Sequence, residues 1–566
     1  MNLQQNSRFC FQKGNFSGVN SNVEGIDKKM RGGGYNDICI FVFIYKKLQE
    51  GGKTSVEVVG FENKKNASNV LEYLENSAIY FPDKEVYEDK NVSMTFKQVE
   101  ETAQRIGTSL AMKLGRHREP IAVFMDKSVK AIVSFFGVLY SGNFYCPLDV
   151  KMPIERIQII MDVLLPEIIV TDKEHKELAE SFAKNSQIVL WEDMSEQEID
   201  KDMLGNIRMD MTELDPLYVL FTSGSTGVPK GVLLNHRVVI NYMQWLEQNF
   251  EIDSTSVFGN QAPFYFDVSI HDIYGAIYFG AKMVIIPQSF FGFPVRLIEY
   301  MNEKRISTFL WVPSAMAIVA NLQTFDVVVP QYLKQIMFAG EVLQRKQLDY
   351  WVKYLPDAVY ANLYGPTETF VCTAYIRNGN EPEGQPLPIG VPIANSQALL
   401  LNEEGNEVEH GEVGELCMRG SCLALGYYNN PERTKLAFVQ NPLHQRYPER
   451  IYHTGDLVRY DETGNLIYIS RKDFQIKHMG YRIELGEIES AGNAIEGIRD
   501  CACMYNTKRK KIVFFYDGIE MEAKKITDAL ASRVPQYMIP GKVVYMKVMP
   551  HNANGKIDRA KLKELV

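Results

Sequence analysis

Tyr218-Val-Leu-Phe-Thr-Ser-Gly-Ser-Thr-Gly-Val-Pro-Lys-Gly231 is the stretch from which the fold can be worked out. Its first four residues are apolar and predict a buried strand from Tyr218 to Phe221. The rest predicts a phosphate-binding loop, because hydroxyls and backbone N–H groups can surround an anion and glycine permits a close approach. The residues assigned to this loop are Thr222, Ser223, Gly224, Ser225, Thr226, Gly227 and Lys230.

This loop does not fit the Walker A pattern Gly-x-x-x-x-Gly-Lys-[Ser/Thr], which disfavours a P-loop NTPase. An ordinary flexible Ser/Gly turn is the alternative interpretation. A turn of that kind rarely follows a strand and carries four hydroxyls, three glycines and a lysine within ten residues.

The length and composition of the chain limit its class. Its 566 residues exceed what one core usually organises, which predicts two or three domains. The net charge of −9, with no basic block, argues against a nucleic-acid partner. Eight scattered cysteines without a repeated Cys-x-x-Cys favour a reduced, cytoplasmic compartment and give no indication of zinc.

The N-terminal residues 1–65 differ in composition from the rest and predict a poorly ordered extension. Within them, Ile38 to Tyr45 is an apolar run of eight residues. It is shorter than the roughly 20 residues that cross a bilayer, so we expect no membrane span. A stray strand and a misassigned start codon both remain open as explanations of this run.

From Ala67 onward, apolar strands alternate with amphipathic helices, the pattern of helix-covered parallel sheets. We therefore predict an α/β fold with a large domain over 66–472, containing several subdomains with mostly parallel sheets. A compact pattern follows, with a helix from Ile488 to Ile495 and a strand from Lys511 to Tyr516. It predicts a small, mobile α+β lid over 473–566.

An aspartate stands inside the aromatic and apolar run Phe264-Tyr-Phe-Asp-Val-Ser-Ile-His-Asp-Ile-Tyr274. Its burial costs several kcal/mol unless a cation or hydrogen-bond donors face it. Asp267 is therefore a candidate for binding a positively charged ligand group. A helix N-cap or a structural ion pair is the alternative.

The stretch Asn362-Leu-Tyr-Gly-Pro-Thr-Glu-Thr369 combines an aromatic ring, a rigid turn at Gly365 and a carboxylate. A nucleotide and its magnesium need such groups. Tyr364 is assigned to stack on adenine, and Asn362 to bond the exocyclic amine of adenine. Thr367 is assigned to contact the phosphates, and Glu368 to bind Mg²⁺. A turn with a solvated acid is the alternative.

In this order, the motifs closely resemble those of the adenylate-forming enzymes, which include acyl-CoA synthetases, luciferases and amino-acid adenylation domains. The resemblance covers about 67–566. It implies ATP and Mg²⁺ as cofactors, and Phe266-Asp267-x-Ser269 is similar to the motif with which amino-acid adenylation domains hold the substrate ammonium.

The resemblance also implies roles for residues nearer the C-terminus. Asp456 would bind both ribose hydroxyls, Arg471 ribose or phosphate, and Asp473 would be the hinge before the lid. Tyr468 belongs to the same nucleotide-binding run. Lys556 would bridge the substrate carboxylate and the α-phosphate, so that Lys556, Glu368 and Thr222 form the catalytic group. Alone, Lys556 would be interpreted as a solvated lysine.

One segment departs from the family pattern. Many adenylation domains have Lys-Ile-Arg-Gly where this chain has Lys477-His-Met-Gly480, so any role of that arginine is in doubt here.

Among the adenylate-forming enzymes, the chain looks most like the D-alanine:carrier-protein ligases and the stand-alone adenylation domains of nonribosomal peptide synthetases. No phosphopantetheine-attachment motif follows the closing signature, which implies a separate phosphopantetheinylated carrier protein as partner. An acyl-CoA synthetase and a non-catalytic binding module are the competing hypotheses. The presence of Asp267, the residue expected to bind the ammonium, argues against an acyl-CoA synthetase. The presence of Lys556, Glu368 and Asp456 argues against a non-catalytic binding module.

The residues expected to line the substrate pocket include a histidine, which sets this chain apart from the D-alanine ligases. D-alanine is the favoured substrate, and another small or polar amino acid is the alternative. His271 is satisfied either by protein groups or by a polar substrate side chain. The predicted pocket residues are Asp267, Val268, His271, Met337, Ala339, Leu363 and Val371.

Overall fold

The computed structural model describes residues 43–50, 53–61, 67–224, 228–382, 385–472, 475–551 and 557–566. Within the predicted N-terminal extension it describes two antiparallel strands, Phe43–Glu50 and Lys53–Phe61. Ser225, Thr226, Gly227, Asp473 and Lys556 lie outside the described residues.

The phosphate loop follows one strand of a sheet that has seven strands among the described residues. Its central strands are parallel, while Lys230–Asn235 turns back antiparallel to Pro216–Thr222. In spatial order the strands are Gly426–Tyr427, Lys230–Asn235, Pro216–Thr222, Phe144–Leu148, Pro120–Phe124, Ile168–Thr171 and Gln187–Leu190.

A second sheet has nine strands among the described residues, and its six central strands are parallel. Apart from Glu85–Glu88, these six strands are mostly apolar and buried, as parallel strands are when helices cover both faces of the sheet. In spatial order the strands of the whole sheet are Val391–Pro392, Thr373–Ile376, Val359–Tyr364, Gln335–Ala339, Thr308–Trp311, Val257–Asn260, Lys282–Ile285, Glu85–Glu88 and Ser93–Thr95.

The remaining sheets are smaller. A five-stranded antiparallel sheet contains Ser396–Leu401, Gly414–Gly420, Arg450–Tyr460, Phe438–Gln440 and Leu466–Arg471. The C-terminal segment holds the hairpin Gln475–His478 and Tyr481–Glu484, and a sheet of Ile498–Asn506, Lys511–Gly518 and Lys542–Tyr545.

The helices cover the two large sheets and the C-terminal sheet. In chain order they are Leu71–Tyr80, Phe96–Leu114, Val129–Tyr140, Ile154–Leu164, Lys176–Glu180, Trp191–Met194, Lys201–Met209, His236–Asn249, Val268–Phe279, Pro294–Glu303, Pro313–Asn321, Arg345–Tyr354, Pro431–Ala437, Leu485–Asn493, Ala523–Ala531 and Arg559–Lys563. None of these described helices is long and apolar enough to cross a membrane.

Local sequence explains where the longest helix, Phe96–Leu114, begins and ends. The Thr95 hydroxyl accepts from the Gln98 N–H at 3.3 Å, while the Gln98 side chain accepts from the Thr95 N–H at 2.9 Å. This reciprocal capping satisfies two N–H groups that the helix itself cannot. The helix ends at Leu114 and is followed by Gly115, whose φ of 65° suits glycine.

The structure confirms the predicted α/β class. The apolar run from Val129 to Tyr140, which stops before Gly142, also predicts a helix, and the structure shows a helix with these bounds. The predicted helix from Ile488 to Ile495 instead runs from Leu485 to Asn493, because it starts directly after the strand Tyr481–Glu484. The predicted domain boundary between 472 and 473 stays a prediction, and residues 43–566 form one compact unit.

Candidate active site

A cavity opens at the carboxyl end of Pro216–Thr222, between the two large sheets and the C-terminal hairpin. Parallel strands present their carboxyl ends to one edge, which is where α/β folds place ligands. The cavity wall includes ten of the predicted site residues: Thr222, Ser223, Asp267, Val268, Ala339, Gly365, Thr367, Val371, Asp456 and Arg471.

Two glycines at this edge allow the backbone to pack tightly. A Cβ on Gly224 would lie 1.9 Å from the Val228 carbonyl oxygen, and one on Gly365 would lie 1.5 Å from that of Phe370. No larger residue fits at either position without moving backbone. The sequence therefore needs glycine here for packing between loop segments.

The phosphate loop contacts the C-terminal hairpin through the hydroxyl of Ser223. Ser223 Oγ donates to the Arg482 carbonyl oxygen at 2.9 Å and accepts from the Glu484 N–H at 3.1 Å. The neighbouring Thr222 Oγ1 is buried and has no hydrogen-bond partner among the described residues. An unpaired buried hydroxyl at a cavity wall is a group that a ligand oxygen can satisfy.

Glu368 is fully buried and accepts hydrogen bonds from three side chains. Lys230 Nζ and the Tyr427 hydroxyl donate to Oε1, and Arg482 Nη1 donates to Oε2, each at 2.7 Å. Burial alone would raise the pKa of Glu368, but the charges of Arg482 and Lys230 hold it well below its usual value. The carboxylate is therefore ionised and joins the phosphate loop strand to the C-terminal hairpin.

Lys230 lies at the start of the strand Lys230–Asn235 and is likewise buried. Burial, together with the charge of Arg482, lowers the pKa of Lys230 to about 8, while Glu368 opposes that shift. Lys230 thus provides its positive charge beside the phosphate loop only while the carboxylate is close.

Asp456 is engaged by protein groups on both oxygens. It accepts from the Tyr364 hydroxyl and from Arg471 Nη1, the latter at 2.9 Å. Lys477 Nζ lies 5.4 Å from the centre of the Tyr364 ring. Lys477 lies on the cavity wall, and burial lowers its pKa.

The residues expected at adenine are also occupied by protein in this arrangement. Tyr364 is buried, and Tyr468 packs against the same small core. Asn362 Nδ2 donates to the Pro388 carbonyl oxygen at 2.7 Å. Binding of a base by Tyr364 and Asn362, the two residues assigned to adenine, requires that these contacts change.

Asp267 stands directly before the helix Val268–Phe279 and makes no side-chain capping hydrogen bond. The alternative of a helix N-cap therefore does not account for its position. Burial raises the pKa of Asp267, while a hydrogen bond from Thr367 opposes the shift. A cation bound in the cavity would stabilise the ionised form.

Three predicted pocket residues do not reach the cavity wall. His271, Met337 and Leu363 are buried behind it. His271 Nδ1 lies 2.8 Å from the Tyr242 hydroxyl, and burial lowers the pKa of the imidazole to about 3. The neutral imidazole is hydrogen-bonded to Tyr242 behind the cavity wall. In this arrangement His271 does not contact a substrate side chain.

The sequence prediction missed two groups. Arg482 lies in the short strand Tyr481–Glu484, just after the quoted segment Lys477 to Gly480, and its sequence Tyr-Arg-Ile-Glu carries no pattern that marks the arginine. Tyr427 lies far from Glu368 in sequence, with no local pattern that marks it.

Comparison with known proteins assigns the family. A family model described as AMP-binding enzyme matches residues 74–428. Zwittermicin A synthase ZmaJ of Bacillus cereus is 32% identical over 503 residues, covering 87% of this chain and 94% of that protein. The D-alanine--D-alanyl carrier protein ligase of Bacillus anthracis is 30% identical and covers 87% of this chain and 98% of that protein.

Solved structures share the fold at lower identity. An NRPS protein with adenylation and PCP domains, holo-PA1221, matches with a TM-score of 0.75 and 24% identity over 89% of this chain and 85% of that one. The Vibrio cholerae adenylation domain AlmE matches with a TM-score of 0.74 and 19% identity over 89% and 99% of the two chains. That structure holds glycyl-adenosine-5'-phosphate.

Proposed function

We propose that this chain, which belongs to the family of AMP-binding enzymes, activates an amino acid as its aminoacyl adenylate. The family and the relatives identify it as an AMP-forming ligase. In the proposed reaction the amino-acid carboxylate attacks the α-phosphorus of ATP and pyrophosphate leaves. The carboxylate is ionised at neutral pH, so the attack needs no general base.

The position of Asp267 carries this proposal. Its carboxylate lies on the wall of the cavity that also includes Ser223 of the phosphate loop and Thr367. A substrate ammonium there offsets the cost of burying the aspartate. The amino acid is thereby held with its carboxylate toward the phosphates.

ATP and Mg²⁺ fit the residues present on chemical grounds. The unpaired Thr222 hydroxyl and the tightly packed backbone at Gly224 suit phosphate oxygens. The hard carboxylate oxygens of Glu368 suit Mg²⁺, which supplies charge neutralisation to the phosphates when bound. Arg482 occupies Oε2 of Glu368, so a metal takes that oxygen only after the guanidinium has moved.

The remaining nucleotide contacts are proposals of the same kind. Asp456 binds the ribose hydroxyls, Arg471 ribose or phosphate, and Tyr364 the base. Lys556 contacts the α-phosphate and the attacking carboxylate.

We further propose that the activated amino acid passes to the phosphopantetheine thiol of a separate carrier protein. The thiolate attacks the acyl carbon, AMP leaves, and a thioester forms. D-alanine is the proposed substrate because a relative with that printed specificity is 30% identical over nearly its whole length. ATP is available in the cytoplasm, so the proposal locates the enzyme there.

A division into domains accompanies this function. We propose that 66–472 form the adenylation domain and 473–566 the lid, because in the described part of the chain the sheets from Gln475 onward share no strand with the earlier ones. The C-terminal segment also has a hydrophobic cluster of its own.

Amino-acid-dependent exchange of labelled pyrophosphate into ATP tests the proposal across the common L- and D-amino acids. We expect exchange with one small amino acid, D-alanine first. Asp267→Asn should lower kcat/KM for that amino acid by about 100-fold, as one charge-assisted contact implies. Asp357→Asn, at an exposed position, is the control. Exchange supported only by acids that lack an ammonium would instead indicate an acyl-CoA synthetase.

A further inference from the structure

Three metal-ligating side chains of different types converge on the five-stranded antiparallel sheet, away from the cavity wall. Glu415 and Cys417 lie on the strand Gly414–Gly420, and His453 lies opposite Cys417 on Arg450–Tyr460. One ligand atom from each lies within 4.8 Å of the others. The cross-strand register therefore presents a carboxylate, a thiol and an imidazole to one point.

The distances suit a small tetrahedral ion. His453 Nδ1 lies 3.3 Å from Cys417 Sγ and 3.1 Å from Glu415 Oε2. Around Zn²⁺, bonds of about 2.3 Å to sulfur and 2.0 Å to nitrogen separate those two ligand atoms by about 3.5 Å. Small side-chain adjustments are enough to admit the ion.

The three side chains cannot all satisfy one another by hydrogen bonds alone. A single ring nitrogen, Nδ1 of His453, faces both the carboxylate of Glu415 and the thiol of Cys417. When Nδ1 carries a hydrogen, it donates to the carboxylate and cannot accept from the thiol. When Nδ1 carries no hydrogen, it accepts from the thiol and cannot donate to the carboxylate. A cation at this point uses the lone pairs of all three groups at once.

The surroundings allow a metal to enter. Cys417 is fully buried, while His453 keeps 34% of its side chain exposed and so leaves a route from solvent. Glu415 Oε1 accepts from the Gly455 N–H at 3.0 Å, which orients the carboxylate as supporting groups do around bound metals. Lys472 Nζ is 3.3 Å from Oε2 and competes for it, but its side chain is 38% exposed and can move into solvent.

We propose that Glu415, Cys417 and His453 form a binding site for Zn²⁺. The mixed sulfur, nitrogen and oxygen set is one that zinc accepts, with water in the fourth position. Binding replaces the proton of the Cys417 thiol, which passes to solvent, so each ion bound releases one proton. The other described cluster, Asp126, Glu174 and His175, lacks a sulfur ligand, and its His175 Nδ1 already contacts Asp172 at 2.7 Å.

Co²⁺ tests the site directly in the purified, metal-free full-length chain. At one equivalent we expect the near-ultraviolet band of a thiolate bound to Co²⁺ and the visible bands of a tetrahedral ion. Added Zn²⁺ should remove both, and a pH indicator should report about one proton released per Zn²⁺ bound.

Two variants assign the ligands. Cys417→Ser should remove the thiolate band, and His453→Gln, at a partly exposed position that folding tolerates, should weaken Zn²⁺ binding by at least about 100-fold in a chelator competition. Cys422→Ser, which alters another buried thiol, should leave both measurements unchanged. No thiolate band in the unmodified chain, or one that persists in both ligand variants, would overturn the proposal.

Discussion

Arg482 Nη1 donates to Oε2 of Glu368 at 2.7 Å and so connects the C-terminal hairpin to the loop that follows the strand Val359–Tyr364. Lys230 approaches the other oxygen of the same carboxylate at the same distance. One buried anion thus holds two cations, and the pKa of Arg482 is well above its usual range because Glu368 outweighs the effect of burial. Oε2, one of the two oxygens that would serve Mg²⁺, is the one that holds the hairpin.

Glu368→Gln should therefore affect folding as well as chemistry. It leaves Lys230 and Arg482 buried without their anion, which costs about 3 kcal/mol in the free energy of unfolding. Urea denaturation measures that loss, and pyrophosphate exchange should fall by at least about 100-fold because a metal ligand is lost. Glu432→Gln, which breaks an exposed pair with Lys435, is the control and should change neither. A fully stable Glu368→Gln protein contradicts the structural role.

Arg482→Gln should change the dependence of exchange on Mg²⁺. The variant removes the charge-assisted hydrogen bond from Arg482 to Glu368, worth about 1.5 kcal/mol, which would otherwise compete with the metal. The Mg²⁺ concentration that gives half-maximal exchange should therefore fall about tenfold. Arg499→Gln removes an exposed arginine from another pair and serves as the matched control. An unchanged Mg²⁺ requirement would mean that guanidinium and metal do not compete for Glu368.

Local patterns in the sequence predict much of this molecule, and contacts between distant segments account for what they miss. The apolar run before Thr222 and the strand-helix alternation are local, and they predict the α/β class. The expectation that Ser223, Asp267 and Thr367 belong to one site came from the family resemblance, and the three residues line one cavity. The contact of His271 with Tyr242 depends on how two helices pack. No periodicity within either helix contains that information.

His271→Met should leave amino-acid preference unchanged and lower stability. The histidine lies behind the cavity wall, and its loss leaves the buried Tyr242 hydroxyl without its partner, at about 1 to 3 kcal/mol. Pyrophosphate exchange over the amino-acid panel and urea denaturation measure the two effects. Tyr242→Phe, which removes the other partner, isolates the hydrogen bond. A shift of the variant toward smaller apolar substrates would show that His271 contacts the substrate.

The same histidine should make stability depend on pH. Burial lowers its pKa to about 3 in the folded chain, whereas the unfolded value is about 6.5. Between these values the unfolded chain binds more protons, so stability falls as pH decreases from 6.5 toward 3. His271 contributes about 1.4 kcal/mol per pH unit to that slope. His271→Met should reduce the measured slope by this amount, and equal slopes would contradict the burial of a neutral imidazole.

Lys556→Ala should separate the two half-reactions. Lys556 is proposed to stabilise charge that develops only while the adenylate forms, and a group engaged in one transition state affects that step alone. Pyrophosphate exchange should fall by about 1000-fold, the larger end of the effect of removing one electrostatic contact. Transfer from pre-made aminoacyl adenylate to a carrier thiol, followed by the mass of the loaded carrier, should persist. Lys563→Ala, elsewhere in the C-terminal segment, is the control. Equal loss of both half-reactions would contradict the assigned role.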